Sequence, residues 1–194
     1  MKTKAGSADF RAFHAALHKM SWPAAKETAE EAASETLPGV FTHPADYYRL
    51  SYPAGWQVKS TGPDGAIIAP ADGVQSSRIG DDVTRGVMFD MFDISERPMT
   101  LDQATNRLIV FLRQRNQSLR AVPGAQTHML IGDEAGLRTV MIGKSSATDS
   151  QEVVWLVTRI YHQSLFYMVF VAPEEEFPAH QPVFEQILRS VRLR

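Results

Sequence analysis

The stretch QEVVWLVTRIYHQSLFYMVFVA, residues 151–172, decides the fold of this chain. It contains two apolar runs, Gln151–Tyr161 and Leu165–Ala172, joined by a short polar connection at residues 162–164. In each run both alternate sets of residues are largely apolar, which is typical of strands buried on two faces of a sheet. A connection this short joins antiparallel neighbours. The stretch therefore predicts two antiparallel strands at the centre of a covered sheet.

Other strand-like segments lie between turn residues. Tyr48–Tyr52 alternates polar and apolar residues and is followed by Pro53-Ala54-Gly55 and Trp56–Lys59, which together predict a hairpin. Further strands are predicted at residues 66–69, 86–92, 127–131 and 137–143. A polar connection is predicted at residues 74–85, with Asp81-Asp82 as a solvated turn.

Two amphipathic segments predict helices that cover this sheet. The first follows a capping box formed by Thr100 and Gln103 and extends over residues 101–118. The second extends over residues 182–192 and has arginines at its end, which complement the helix dipole. Central strands that are apolar on both sides need a cover on each face. We therefore predict an α+β fold, a three-layer sandwich in which an antiparallel sheet lies between helices.

Residues 1–40 differ in composition from the rest of the chain. The boundary falls at residues 37–39, a Leu-Pro-Gly sequence that stops helices and makes turns. Helical spacing of large apolar residues predicts a short amphipathic helix before it. The candidate interface residues of this helix are Phe10, Phe13 and Leu17. We interpret residues 1–40 as a tail, either a loosely attached linker or a docking helix, and residues 41–194 as one sandwich domain.

Composition excludes several classes of function. The chain has 194 residues and no cysteine, which excludes disulfides, thiol catalysis, thiolate zinc sites and iron–sulfur clusters. Its net charge of -2 argues against a nucleic-acid partner, because phosphate neutralisation needs clustered, uncompensated basic residues. No apolar run reaches the roughly 18 residues that span a bilayer, and none follows the basic start as a secretory signal requires. We therefore expect neither a transmembrane span nor a signal peptide.

The sequence contains no recognisable catalytic, cofactor or metal motif. The six histidines are in no nucleophile or metal spacing; His14 and His18, four residues apart, lack a third ligand. The glycines form neither a phosphate loop nor a dinucleotide fingerprint. We expect no cofactor and no metal, and a chain that is not an enzyme.

Several residues are nevertheless candidates for binding a ligand or a partner. Asp90 is a polar residue between Met88 and Phe92 on one face of a predicted strand, and a buried carboxylate needs partners or changes its protonation state. It either hydrogen-bonds to a neighbouring strand or loop, or is left in water at the strand end, or lines a ligand cleft. Val110 lies nearly opposite the apolar stripe of the first helix, which makes it a candidate interface residue. The candidate ligand residues are Asp90, Trp56 and Trp155.

The order of motifs carries a resemblance to a known family. The motifs are YRLSYPAGW at residues 48–56, TLDQA at 100–104, VAPEEEF at 171–177 and the closing helix with Phe184 and Val191. They resemble the PsbP-like domain, and more closely the form found at the C-terminal end of bacterial membrane-associated zinc metallopeptidases of the HExxH type. The resemblance covers about residues 41–194, with the tail similar to the linker before that domain. No HExxH occurs in this chain, so the resemblance does not imply peptidase activity.

Two functional hypotheses follow. The resemblance implies a noncatalytic accessory domain of PsbP-like type that binds another protein. The alternative is a small-ligand or lipid-binding protein that uses a cleft between sheet and helix. The resemblance implies the cell envelope, whereas the missing signal peptide indicates the cytoplasm. The identity of the partner and the oligomeric state are left open.

Overall fold

The computed structural model describes residues 37–77, 80–145 and 147–194. The predictions for Phe10, Phe13, Leu17 and most of the 1–40 tail therefore lie outside the described residues. The strands are β1 (Gly39–Thr42), β2 (Tyr48–Tyr52), β3 (Gln57–Ser60), β4 (Ala66–Ala69), β5 (Val74–Ser77), β6 (Gly80–Val83), β7 (Gly86–Asp93), β8 (Arg120–Ile131), β9 (Glu134–Lys144), β10 (Gln151–Tyr161), β11 (Ser164–Pro173) and β12 (Arg192–Leu193). The helices are α1 (Leu101–Arg115) and α2 (Phe177–Ser190).

The main sheet has seven antiparallel strands in the order β3-β4-β7-β11-β10-β9-β8. β10 and β11 lie inside it, paired from Glu152 opposite Pro173 to Tyr161 opposite Ser164. This confirms the pair of central antiparallel strands predicted from residues 151–172. Two smaller sheets complete the described part of the chain, β1-β2-β12 and the hairpin β5-β6.

The core consists of two clusters, and the alternation of β10 divides its side chains between them. Val153, Trp155 and Val157 lie in one cluster with Phe184 and other residues of α2. The even-numbered residues Val154 and Leu156 lie in a second cluster with residues of α1, namely Ala104, Leu108 and Ile109. Both alternate sets of β10 are apolar because each set packs into one of these clusters. The predicted α+β fold with a large antiparallel sheet is confirmed.

The predicted hairpin of β2 and β3 is wrong. β2 pairs with β1 and β12, whereas β3 pairs with β4 in the main sheet. The turn at Pro53-Ala54-Gly55 is real, with Gly55 at a φ of 80° and the Trp56 N–H bonded to the Pro53 carbonyl. Both strands lie close to the predicted residues, but β3 is exposed along its whole length, so its residue pattern does not specify which strand it pairs with.

Other boundaries also differ from prediction, and β8 begins at Arg120 rather than at residue 127. α2 begins at Phe177, so Pro182 lies inside the helix rather than at its start. The earlier start buries Phe177, whose ring contacts Trp155 at 5.1 Å between centroids. α1 ends at Arg115 because Asn116 caps it in an extended conformation. Residues 74–85 contain the β5-β6 hairpin, so Asp81-Asp82 belongs to a strand and not to a turn.

Candidate functional site

The outer side of α1 carries the exposed side chain of Val110. A capping box of Thr100 and Gln103 starts the helix, with Thr100 Oγ1 accepting from the Gln103 N–H at 3.3 Å. The inner side buries Ala104 and Leu108 against the sheet, and this leaves Val110 on the opposite side, 59% exposed. The predicted exposure of Val110 is confirmed, and its role in an interface stays a prediction.

Near Val110, two arginines flank a pair of aromatic rings that contact each other. The Arg115 guanidinium carbon lies 5.6 Å from the ring centroid of Phe111, which is itself 37% exposed. The Arg107 guanidinium lies 5.8 Å from the Phe92 ring, and the two rings are 5.5 Å apart. Cation–π contacts of this kind hold an arginine over a ring face. We call Arg107, Val110, Phe111 and Arg115 the Val110 surface.

A shallow cleft of about 420 Å³ adjoins this surface. Its lining residues are Arg97, Pro98, Met99, Gln103, Asn106 and Arg107. Arg107 belongs to both features, and its Nη2 lies 2.8 Å from Glu96 Oε2. The cleft therefore extends the Val110 surface toward the start of α1. Together they form a region that is partly apolar, rich in arginine and open to solvent.

Asp90 lies half-buried on β7, where the sequence analysis placed it. Its Oδ1 accepts from the Met91 N–H at 2.7 Å, and a Cβ on Gly65 would come within 2.6 Å of its Oδ2. Burial raises the pKa of the Asp90 carboxyl above its ordinary value, although the Met91 hydrogen bond opposes the rise. A glycine at position 65 is needed so that the backbone can approach this carboxylate closely.

His43 and Asp64 belong to the same region, and sequence analysis did not find them. His43 is buried, and its Nε2 lies 3.3 Å from Asp64 Oδ1 in an orientation that does not align a hydrogen bond. The Tyr48 hydroxyl donates to the Asp64 carbonyl at 2.6 Å, and burial together with Asp90 and Asp64 raises the pKa of Tyr48. Tyr48 is therefore held as a hydrogen-bond donor. His43 follows β1 and Asp64 lies between β3 and β4. No sequence motif links the two residues, because only the folded chain brings these connections together.

The two candidate tryptophans lie elsewhere in the molecule. Trp155 is fully buried against Phe177, and Trp56 packs on Phe184 at 6.5 Å between centroids. Both belong to the cluster of α2. Asp90 does not, because on β7 it alternates with Val87 and Phe89, which belong to that cluster. The structure thus does not bring the three residues into one cleft. Ligand binding at any of them stays a prediction.

A second, polar cleft of about 250 Å³ lies where the β4–β5 loop approaches the turn that follows β9. Its lining residues are Asp72, Thr84, Arg85, Ser145, Thr148, Ser150, Glu152, Pro173 and Glu176. Arg85 forms ion pairs with Asp72 and Glu176, and its hydrogen bond to Asp72 lowers the pKa of that exposed carboxyl. The charge of the guanidinium is therefore already balanced by carboxylates.

Glu152 is the buried titratable group of this cleft. Burial raises the pKa of Glu152 to about 7, with a smaller contribution from the charge of Asp82. The Asn116 side-chain amide donates to its Oε1 at 3.3 Å and to the Lys144 carbonyl at 2.9 Å. Glu152 lies at the start of the apolar run of β10, and an isolated carboxylate in such a run is the sequence signal for a buried titratable group.

Within residues 37–77, 80–145 and 147–194, no group of three or more histidine or carboxylate side chains is arranged to hold a metal ion. No helix in this part of the chain is long and apolar enough to cross a bilayer.

Comparison with known proteins establishes the fold. No protein family and no curated protein matches the sequence. The solved structure of cyanobacterial PsbP (CyanoP) from Synechocystis sp. PCC 6803 is similar, with a TM-score of 0.58 and 12% identity over 86% of this chain and 98% of that chain. This chain has a PsbP-like fold. The Ran-binding protein Mog1p of Saccharomyces cerevisiae is also similar, with a TM-score of 0.53 and 4% identity over 79% of this chain and 94% of that one.

The predicted PsbP-like fold is therefore confirmed. At identities of 12% and 4%, these similarities show a shared fold and give no information on activity. The closer relation to zinc metallopeptidase domains stays a prediction.

Proposed function

We propose that this chain is a noncatalytic protein-interaction domain whose partner docks on the Val110 surface. The observation that carries the proposal is the exposure of Val110, 59%, beside two arginines stacked on aromatic rings. The centres of protein interfaces are enriched in aromatic residues and arginine, and truncating such residues has the largest effect on affinity. An isolated exposed valine on a polar helix would not indicate an interface.

The chemistry of the surface indicates an acidic partner. Asp102 is the single acidic residue within α1, whereas Arg113 and Arg115 lie in its last turn. Arg107 lies near the middle of the helix and pairs with Glu96. Carboxylates of a partner would pair with Arg113 and Arg115 around an apolar contact at Val110. Because cation–π contacts already hold Arg107 and Arg115, less side-chain entropy is lost when the partner binds.

The fold supports a role in binding. Mog1p, which has a similar fold, is a Ran-binding protein. We further propose that α1 and α2 cover opposite faces of the main sheet in a three-layer sandwich, because their residues lie in separate clusters with alternate residues of β10. In this arrangement α1 has one side against the sheet and the other free for a partner. An accessory-domain role like that in the zinc metallopeptidases would use the same surface.

The test compares two valines of matched exposure. Val110 and Val40 are 59% and 62% exposed, on α1 and β1 respectively. Partners captured from the host by the full chain are identified and purified, and their affinity is measured for the unaltered protein, Val110→Asp and Val40→Asp. We expect Val110→Asp to weaken binding about tenfold or more, because it places a carboxylate at the centre of an acidic partner's contact.

Val40→Asp should bind the partner with the affinity of the unaltered protein, and added salt should weaken the binding of these two proteins. A partner that binds all three proteins equally would exclude the Val110 surface as its docking site. Equal unfolding midpoints in urea for the two variants show that the comparison concerns binding and not stability.

A further inference from the structure

The outer edge of the main sheet is formed by β8, and its two halves are built differently. Residues 120–125 include Pro123 and Gly124, and the pairing with β9 is irregular between Ala121 and Gln126. Prolines and bulges are features that prevent an edge strand from pairing with another chain. Residues 126–131 pair with β9 in unbroken register and contain neither proline nor a carboxylate, lysine or arginine. We call residues 126–131 the β8 edge.

The hairpin loops determine which backbone groups of this edge point outward. Ile131 pairs with Glu134 across the two-residue loop Gly132-Asp133, so these two residues exchange hydrogen bonds. Alternation then directs the N–H and C=O of Met129 and Thr127 toward β9. It directs the same groups outward at Gln126, His128 and Leu130.

The other hairpin gives the same alternation independently. Tyr161 pairs with Ser164 across a two-residue loop, so the odd-numbered residues of β10 bond to β11 and the even-numbered residues bond to β9. Thr158 and Leu137 are then a hydrogen-bonded pair of β10 and β9. Since Leu137 bonds to β10, the residue opposite it on β8, His128, has its backbone groups directed outward.

Four side chains of the β8 edge are exposed, at residues 126, 127, 128 and 130, whereas Met129 is partly buried and Ile131 is buried in the core. Leu130 is 67% exposed, and the His128 side chain is 69% exposed. Outward backbone groups recur every second residue, a spacing of roughly 6.8 Å that matches the backbone of another extended strand. Within residues 37–77, 80–145 and 147–194 no strand pairs with this side of β8, and a row of such N–H and C=O groups beside an exposed leucine favours pairing with another strand.

We propose that the β8 edge pairs antiparallel with the β8 edge of a second copy of this chain, with a two-fold axis at His128. Around this axis His128 meets its own equivalent, and Leu130 lies opposite Gln126 of the second copy. Residues 126–131 contain no lysine, arginine or carboxylate, and the imidazole of His128, which meets its equivalent at the axis, has the Asp102 carboxylate of its own chain 3.7 Å from its Nε2. This is a surface separate from the Val110 surface, and it does not depend on the function proposed above.

Charge complementarity favours a second copy as the occupant. Four residues of β8, 122–125, lie opposite one residue of β9, so the bulge takes up three additional residues. Without the bulge, residue 123 would lie opposite Ile142; because of the three additional residues, Arg120 lies there instead. The two-fold axis at His128 places residue 123 of an unbroken strand opposite residue 133 of the second copy, so Arg120 takes that position. Arg120 of each copy therefore approaches the loop that carries Asp133 in the other, at both ends of the edge.

Sedimentation equilibrium of the full chain over a range of concentrations tests the pairing with two substitutions at one position. His128→Pro removes the outward N–H and leaves the pairing with β9 intact, whereas His128→Ala keeps the N–H. We expect the unaltered protein and His128→Ala to form dimers. His128→Pro should weaken dimerisation about tenfold or more, because two hydrogen bonds are lost at the axis. A monomeric unaltered protein, or a His128→Pro dimer of unchanged affinity, would overturn the proposal.

A second measurement covers the case in which His128→Pro does not fold. The chain has no cysteine, so His128→Cys introduces a single thiol. Hydrogen-bonded residues across antiparallel strands have Cα atoms about 5.5 Å apart, within the range of a disulfide. We expect mild oxidation to link His128→Cys into dimers and to leave Val110→Cys largely monomeric. Equal linkage of the two variants, or no linkage of either, would contradict the proposed axis, and neither result bears on the Val110 surface.

Discussion

The two core clusters are packed with different kinds of side chain, and we call them the α2 side and the α1 side after the helix that each contains. On the side of α2, aromatic rings contact one another at 5.1 to 5.7 Å between centroids. These rings belong to Trp155, Phe170, Phe177 and Phe184. On the side of α1 the core consists mainly of aliphatic residues, and it includes a buried hydrogen bond of 2.7 Å between the hydroxyls of Thr105 and Thr158.

This difference in packing indicates that one cluster contributes mainly to stability and that the other lies near the groups proposed for binding. Large rings bury more apolar surface per residue, so the α2 side contributes the greater part of the hydrophobic stabilisation. The α1 side has smaller apolar residues, and beside it lie the buried carboxyl of Glu152 and the exposed Val110. Substitutions on the α2 side should therefore act mainly on stability, and those on the α1 side on pH response and binding.

The largest expected effect compares one core residue from each side. Phe184 is fully buried and contacts Trp56, Phe170 and Phe177, whereas Leu108 is fully buried on the inner side of α1. We expect Phe184→Ala to lower the free energy of unfolding by about 3–5 kcal/mol and Leu108→Ala by a smaller amount within about 2–5 kcal/mol. Urea unfolding of both variants measures the difference. A larger loss for Leu108→Ala would reverse the assignment of stability to the α2 side.

The second effect is a pH dependence located on the α1 side. The pKa of Glu152 is about 7 in the folded protein, above its ordinary value of 4.5 because of burial. The folded state therefore binds more protons than the unfolded state between these values, and its stability falls as the pH rises from about 4.5 to about 7. The contribution of Glu152 is at most about 1.4 kcal/mol per pH unit.

Unfolding free energies at several pH values check this expectation. Glu152→Gln should remove that contribution to the slope, because glutamine does not titrate. Glu175→Gln, at an exposed carboxyl of the loop before α2, is the matched control and should keep the slope of the unaltered protein. An unchanged slope in Glu152→Gln would show that the folded protein does not raise this pKa.

The smallest effect concerns the buried hydroxyl pair. Thr105→Val leaves the Thr158 hydroxyl with the Leu137 carbonyl as its acceptor, at 3.3 Å. We expect the single substitution to lower the free energy of unfolding by about 1 kcal/mol, and Thr105→Val with Thr158→Val to be no worse than the single change. Losses that simply add in the double variant would show that the two hydroxyls do not act as a pair.

Local patterns in the sequence were enough for several elements. Thr100 and Gln103 form the predicted capping box because its hydrogen bonds join residues three apart. β10 and β11 form as predicted because both of their alternate sets are apolar and their connection is short. The exposure of Val110 followed from its position opposite the buried stripe of α1.

Features that depend on distant contacts were not predictable in this way. β2 and β3 follow each other in sequence yet pair in different sheets. α2 starts at Phe177 because the Trp155 ring offers it a buried position. Asp90, Trp56 and Trp155 were grouped by residue type, but the alternation of β7 places Asp90 away from the cluster that contains both tryptophans.

The sequence by itself determined the α+β class, the central strand pair, the first helix with its cap, and the absence of cysteine chemistry, because each depends on composition or on residues a few positions apart. The tertiary structure decided which strands pair with β2 and which with β3, the raised pKa of Glu152, the contact between His43 and Asp64, and the position of β8 at the end of the main sheet. Each of these depends on residues that only folding brings together. Burial, strand pairing and pKa shifts arise from those long-range contacts, which no local pattern of residues records.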